Sequence, residues 1–121
     1  MVQVVATEEF TQWYASLTDA ERDSVTFVVG LLRAAGVALG TPYSSALEGT
    51  EYALRELRPK HGRSPLRVVY AFDPYRDAVL IIGGSKGGDS KFYKRIIKAA
   101  ENIWKEYLAS VHAARGKEKK P

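Results

Sequence analysis

Cysteine is absent from the 121 residues, which excludes disulfides and thiolate metal sites, and two histidines, His61 and His112, are too few for an all-histidine zinc centre. Any stable fold must therefore rest on apolar burial. Long apolar runs are lacking as well: the longest strongly apolar stretch, Ala78 to Ile82, is far shorter than a membrane span. The amino terminus has no basic stretch and meets Glu8 and Glu9 before a signal-peptide core can form, so the sequence reads as soluble and cytoplasmic. Nor is a nucleotide motif present. Gly83-Gly84-Ser85-Lys86-Gly87-Gly88 gathers glycines around a lysine without the phosphate-loop order, so no small-molecule cofactor and no metal is expected.

What the chain does contain is a globular balance, 45% apolar and 26% charged residues, in a length suited to one domain. That domain is expected over 1–111. The segment 112–121 is polar, ends in proline and is expected to be a disordered tail. Lysine and arginine outnumber acids 18 to 14, a net charge of +4 that favours polyanionic partners.

Residues Val2 to Ala6 are β-branched and apolar, as an opening strand requires. Thr7 can cap a helix whose first turn holds Glu8 and Glu9 and whose apolar face is Phe10, Trp13, Tyr14 and Leu17. Thr18-Asp19-Ala20-Glu21 matches a capping box, with Val25, Val28, Val29 and Leu32 continuing at helical spacing until Gly36. A helical hairpin follows from these two starts. Gly40 to Gly49 reads as a loop, Tyr52 to Arg58 as a strand, and Pro59 to Pro65 as a basic loop. Leu66, Val68, Tyr70 and Phe72 alternate with Arg67, Val69, Ala71 and Asp73, which places Arg67 opposite a large apolar row. After a turn at 73–77, Ala78 to Ile82 reads as a buried strand, and Gly83 to Asp89 as a flexible segment opening the last helix, capped by Asp89 or Ser90. The order implies an α+β domain: an amino-terminal strand and helical hairpin packed on a small, mainly antiparallel sheet, with a carboxy-terminal helix.

Arg55, Arg58, Lys60, His61, Arg63 and Arg67 are expected to crowd one side of this sheet, with Lys86, Lys91, Lys94, Arg95 and Tyr93 brought nearby. A solvated basic face is the plain explanation of such a cluster. Arg67 asks for more, because a long cation in mid-strand needs a reason. Metal-free cleavage of RNA supplies one: a ribose 2′-hydroxyl attacks the adjacent phosphorus if a base takes its proton, cations stabilise the phosphoryl oxygens and an acid protonates the departing 5′-oxygen. Arginine forks suit the second task. Lys86 is a candidate acid and His61 a candidate base, and spacing alone assigns neither. Tyr93 could stack on a base or merely pack against the sheet. His112 falls in the tail, Trp13 and Trp104 fall on apolar helical faces, and Asp73, Asp77 and Asp89 fit turn and cap bonding.

Leu54-Arg55-Glu56-Leu57-Arg58, then Arg67-Val68-Val69-Tyr70, then Gly83-Gly84-Ser85-Lys86 and Phe92-Tyr93 resemble, in that order, the RelE/HigB toxins, most of all their phage-derived, HigB-like branch. The resemblance spans roughly Leu47 to Leu108. It implies a toxin of a type II toxin–antitoxin system that cleaves messenger RNA on the ribosome. It further implies Arg67 as the cation on the scissile phosphate and Lys86 as acid, with Lys91 as its substitute. Arg58 and Tyr93 complete the catalytic set, and Arg55, Lys60, His61, Arg63 and Lys91 bind RNA. The implied partners are the ribosome with its messenger RNA and a cognate antitoxin, a helix-turn-helix protein in this branch. Some HigB proteins use an active-site histidine, and here only His61 could supply it. Two rival readings keep the fold: a ParE-like toxin that binds DNA gyrase, against which the arginine set argues, and a non-catalytic RNA-binding module.

Overall fold

Thr7 and Thr18 set the first half of the molecule. In the computed structural model, which describes residues 1–60 and 65–118 and side chains as far as 111, strand β1 (Val4–Ala6) runs straight into helix α1 (Glu8–Ala15). The Thr7 hydroxyl accepts the Phe10 N–H at 3.1 Å and itself donates to the carbonyl of Ile81 at 2.6 Å, tying the helix start to the sheet. Helix α2 (Asp19–Ala35) begins with a complete capping box, Thr18 N–H to Glu21 Oε1 at 2.9 Å and Glu21 N–H to Thr18 Oγ1 at 3.2 Å. Gly36, at φ 59°, ends it in a backbone conformation that a side chain would strain. A short 3-10 turn (Gly36–Ala38) then leads out of the hairpin.

The sheet has five strands in the order β1-β5-β4-β3-β2, where β2 is Ser44–Ala46, β3 Arg55–Leu57, β4 Leu66–Phe72 and β5 Ala78–Ser85. All neighbours are antiparallel except β1 and β5. Helix α3 (Phe92–Glu118) closes the chain. Each face of the sheet is covered. Phe10, Val25, Val28 and Leu32 pack with Leu57, Val68, Tyr70 and Leu80 on one side, and Phe92, Ile96, Ala100 and Trp104 with Leu54, Val69, Ala71 and Ile81 on the other. Fully burying one such aliphatic side chain stabilises by about 1.5–3 kcal/mol, so the two layers together offset the ordering of a chain without cross-links.

Two expectations are corrected. The supposed loop from Gly40 to Gly49 contains β2, made extended by its pairing with β3 and not by its own small residues. Gly83 and Gly84 are not a flexible opening but the end of β5, paired with Val68 and Arg67. Helix α3 is described as far as Glu118, within the segment 112–121 that was expected to be a tail.

Candidate functional site

The period of two in β3 and β4 decides which cations meet. Glu56 pairs with Val69, and Arg67 lies two residues earlier on that same face, so both side chains point toward α3. Arg67 Nε stands 3.3 Å from Glu56 Oε1, and its Nη1 donates to the Leu66 carbonyl at 2.8 Å. The Nε–H distance suits an ion pair, but the N–H is not aimed at the carboxylate and has no hydrogen-bond acceptor among the described residues. Opposite Arg67 on β5 is Gly84, over which the Phe92 ring and Ile96 pack.

Glu56 is the hub of this face. Only 4% exposed, it receives the Tyr93 hydroxyl at 2.7 Å on Oε1 and Arg58 Nη2 at 3.4 Å on Oε2. Arg58 is braced further by a 2.7 Å bond to Ser45 Oγ from β2. A buried carboxylate without such partners would be costly; here two guanidinium groups and a phenol satisfy it. Lys86 follows β5, its N–H bonded to the Pro65 carbonyl at 2.9 Å, and its Nζ lies 5.2 Å from the centre of the Tyr93 ring. Arg58, Glu56, Arg67, Tyr93 and Lys86 therefore form one continuous group, with Arg58, Glu56 and Tyr93 lining a cleft of about 370 Å³.

Burial pushes the Tyr93 phenol above its ordinary 10.0, the Glu56 carboxylate adds to the rise, and Arg67 opposes it. Since the folded value is the raised one, the stabilisation of the phenol–carboxylate bond is present in full below about pH 10 and is lost as pH climbs through the folded value. A spectrophotometric difference titration between wild type and Tyr93→Phe is expected to show one tyrosine ionising later than the exposed ones. A difference curve at the ordinary tyrosine position would contradict the bond to Glu56.

Arg55 does not join the group. An odd step along β3 turns it to the opposite face, where its guanidinium bonds Ser44 Oγ, Tyr70 Oη and the Leu39 carbonyl, a structural bracket under the helical hairpin. Lys60 also departs: its ammonium lies 6.0 Å from the Tyr43 ring, beside Asp23 and Phe27 of α2. Both were expected with Arg67; the alternation of β3 turns Arg55 away, and Lys60 lies past the strand's end. His61 and Arg63 lie outside the described residues. Lys91 is exposed in the turn before α3, where its N–H bonds Asp89 Oδ1 at 2.9 Å, as expected of an Asp89 cap. Arg95 pairs with the same aspartate and, with the Lys91 N–H, holds the Asp89 carboxyl below its usual range. Glu56 and Ser45 were missed. Glu56 carried a signal in its place between two arginines, but its partners depend on the β3–β4 register; Ser45 carried none.

No cluster of histidine, aspartate or glutamate able to hold a metal ion occurs among the described residues, and none of the helices there is long and apolar enough to cross a membrane. Asp73 instead accepts the N–H groups of Tyr75 and Asp77, fixing the β4–β5 turn.

Comparison with known proteins adds the wider context. The profile of the phage-derived Gp49-like protein family matches residues 12–105. Two Mycobacterium tuberculosis proteins designated toxins HigB2 and HigB3 are each 33% identical, the first over 93% of this chain and the second over 90%. The chain spans 58% of the length of HigB2 but 96% of HigB3. Among solved structures, an archaeal RelE–RelB complex from Pyrococcus horikoshii shares the fold, with a TM-score of 0.53 over 73% of this chain and 98% of the other at 19% identity.

Proposed function

Because this chain belongs to the Gp49-like family of RelE/HigB type, we propose that it is the toxin of a toxin–antitoxin pair and a ribosome-dependent endoribonuclease that blocks translation by cutting messenger RNA. The observation that carries this reading is the grouping of Arg58, Arg67, Tyr93 and Lys86 around the buried Glu56. Arg67 and Arg58 meet the non-bridging oxygens of the scissile phosphate and stabilise the charge that grows there. The ribose 2′-oxygen attacks the adjacent phosphorus as the bond from phosphorus to the 5′-oxygen breaks. Tyr93 Oη accepts the 2′-hydroxyl proton while passing its own to Glu56, along the 2.7 Å bond already in place. The Lys86 ammonium protonates the departing 5′-oxygen and is recharged from water. The products are a 2′,3′-cyclic phosphate and a 5′-hydroxyl end. Glu56 is too deeply buried to touch the substrate itself, so it serves as counter-ion and final proton acceptor.

The ribosome contributes what this open, shallow cleft lacks, a messenger strand held in the orientation that in-line attack needs. A cognate antitoxin, of helix-turn-helix type, is the second partner; the structural neighbour from Pyrococcus horikoshii was solved as a RelE–RelB complex, in keeping with it.

Mapping the 5′ ends of a defined messenger RNA in a purified translation system tests the reading. Wild-type protein is expected to create new ends only when ribosomes are present, and Tyr93→Phe to slow their appearance by about 10²–10⁴-fold, the usual weight of a positioned proton acceptor. Undiminished cleavage by the phenylalanine variant would remove the phenol from the proton path. Translation stopped with the RNA intact would replace the nuclease by a binding inhibitor.

A further inference from the structure

The cleft around Arg58 does not end at Tyr93. Beyond that ring a groove of about 550 Å³ runs between the loop that follows β2 and the outer face of α3, lined by Glu48, Tyr93, Lys94, Ile97, Lys98 and Glu101. Glu48, Tyr93 and Ile97 line the catalytic cleft as well, so the two hollows are one surface divided by the tyrosine. Lys94 and Lys98 are both exposed and stand one helical turn apart on the same wall. Neither has a part in the chemistry described above.

We propose that this groove is a binding site for the phosphodiester strand next to the scissile phosphate, taking one flanking nucleotide. The proposal rests on the reading of the adjoining cleft as an RNA site. The base lies on Tyr93 and Ile97, a flat ring and a branched aliphatic chain that accept any base face, and the phosphate lies between the two lysines. The polarity of the groove sets its length. Along α3 the basic pair comes first, nearest the cleft, and Glu101 comes a turn later. The Glu101 carboxylate accepts Thr50 Oγ1 at 2.6 Å and the Glu51 N–H at 3.3 Å, so it pins the loop to the helix and closes the far end with negative charge. A phosphate is welcome at Lys94 and Lys98 and repelled beyond them. Glu48, exposed on the opposite lip where cleft and groove join, faces the strand's entry, and its charge opposes binding there.

The test is the binding of an uncleavable single strand, an oligonucleotide with 2′-O-methyl riboses, to the whole chain across a salt series. The double variant Lys94→Ala, Lys98→Ala is expected to bind about tenfold more weakly at low salt, and the slope of log affinity against log salt to shrink by about 0.7, as one lost phosphate contact on a single strand requires. Glu48→Gln is expected to bind several-fold more tightly, a gain that misfolding cannot imitate. Arg58→Ala reports on the cleft separately. If Arg58→Ala weakens binding while the lysine pair and Glu48 change nothing, the groove proposal falls and the cleft reading stands. If no variant changes a salt-insensitive wild-type affinity, both fall. Loss of antitoxin binding in the lysine variant with oligonucleotide affinity unchanged would overturn the proposal and give the groove to the protein partner.

Discussion

Arg67→Lys is expected to lose at least about 100-fold of ribosome-dependent cleavage, the scale on which removing one transition-state donor acts, while the chain stays folded. The reason is the number of jobs the guanidinium holds at once. It donates to the Leu66 carbonyl and pairs with Glu56, with 16% of its side chain exposed. A lysine ammonium keeps the charge opposite Glu56 but is a single point on a flexible stem, and cannot satisfy those partners and also meet two phosphate oxygens. The alanine variant is the less informative one. It leaves a buried carboxylate short of a counter-charge, a defect that costs about 3–5 kcal/mol when a buried pair is broken and would mix folding with chemistry. Cleavage rates on programmed ribosomes, read beside a thermal melt, separate the two. A lysine variant that cuts within a few-fold of wild type would mean that charge alone, without the planar fork, serves the phosphate.

Gly83→Ala is expected to destabilise the fold by about 3 kcal/mol or more, at the upper end of overpacking, because a Cβ at that position would stand 2.2 Å from the nearest atom of the Trp13 ring. That ring is braced against Phe10, their centroids 5.8 Å apart, and α1 cannot back away while Thr7 holds its start to β5. Gly84→Ala is the control on the other face. There the new methyl meets the Phe92 ring edge at 3.0 Å and the tip of Ile96 at 3.3 Å, side-chain ends that can give by a few tenths of an ångström. Urea midpoints should fall much further for position 83 than for 84. Equal midpoints would show that the tryptophan ring yields.

The same two glycines mark where reading from sequence stops. Their composition says turn, yet both are strand residues, extended because a tryptophan and a phenylalanine press on the backbone from opposite sides. The elements governed by local chemistry were legible: the Thr7 cap, the Thr18 capping box, the helical faces of Val25, Val28 and Leu32, and the alternation that sets Arg67 against Tyr70. The expected fold class, a helical hairpin on a mainly antiparallel sheet with a closing helix, follows from those pieces. The site was legible only in part. Arg67, Arg58, Lys86 and Tyr93 do meet, but Arg55 was grouped with them by nearness in sequence, although an odd spacing along a strand sends it and Arg58 to different faces. Glu56 has no meaning until the pairing of β3 with β4 brings it toward Arg67, and register is a property of two segments, not of one.

The parallel pairing of β1 with β5 also fixes a timetable. Val4 lies beside Ala78, so the first strand to leave the ribosome must wait for the fifth before it has a neighbour. Until then β5's future partner is an unpaired ribbon joined to a helical hairpin with no sheet beneath it, and contacts this distant in sequence form slowly. Tyr93 and Lys86 are made later still. The grouping of Glu56, Arg67, Tyr93 and Lys86 thus draws on strands and a helix spread along the sequence, so under the proposed reading the cleft takes shape late in folding, an interval in which the proposed antitoxin could bind.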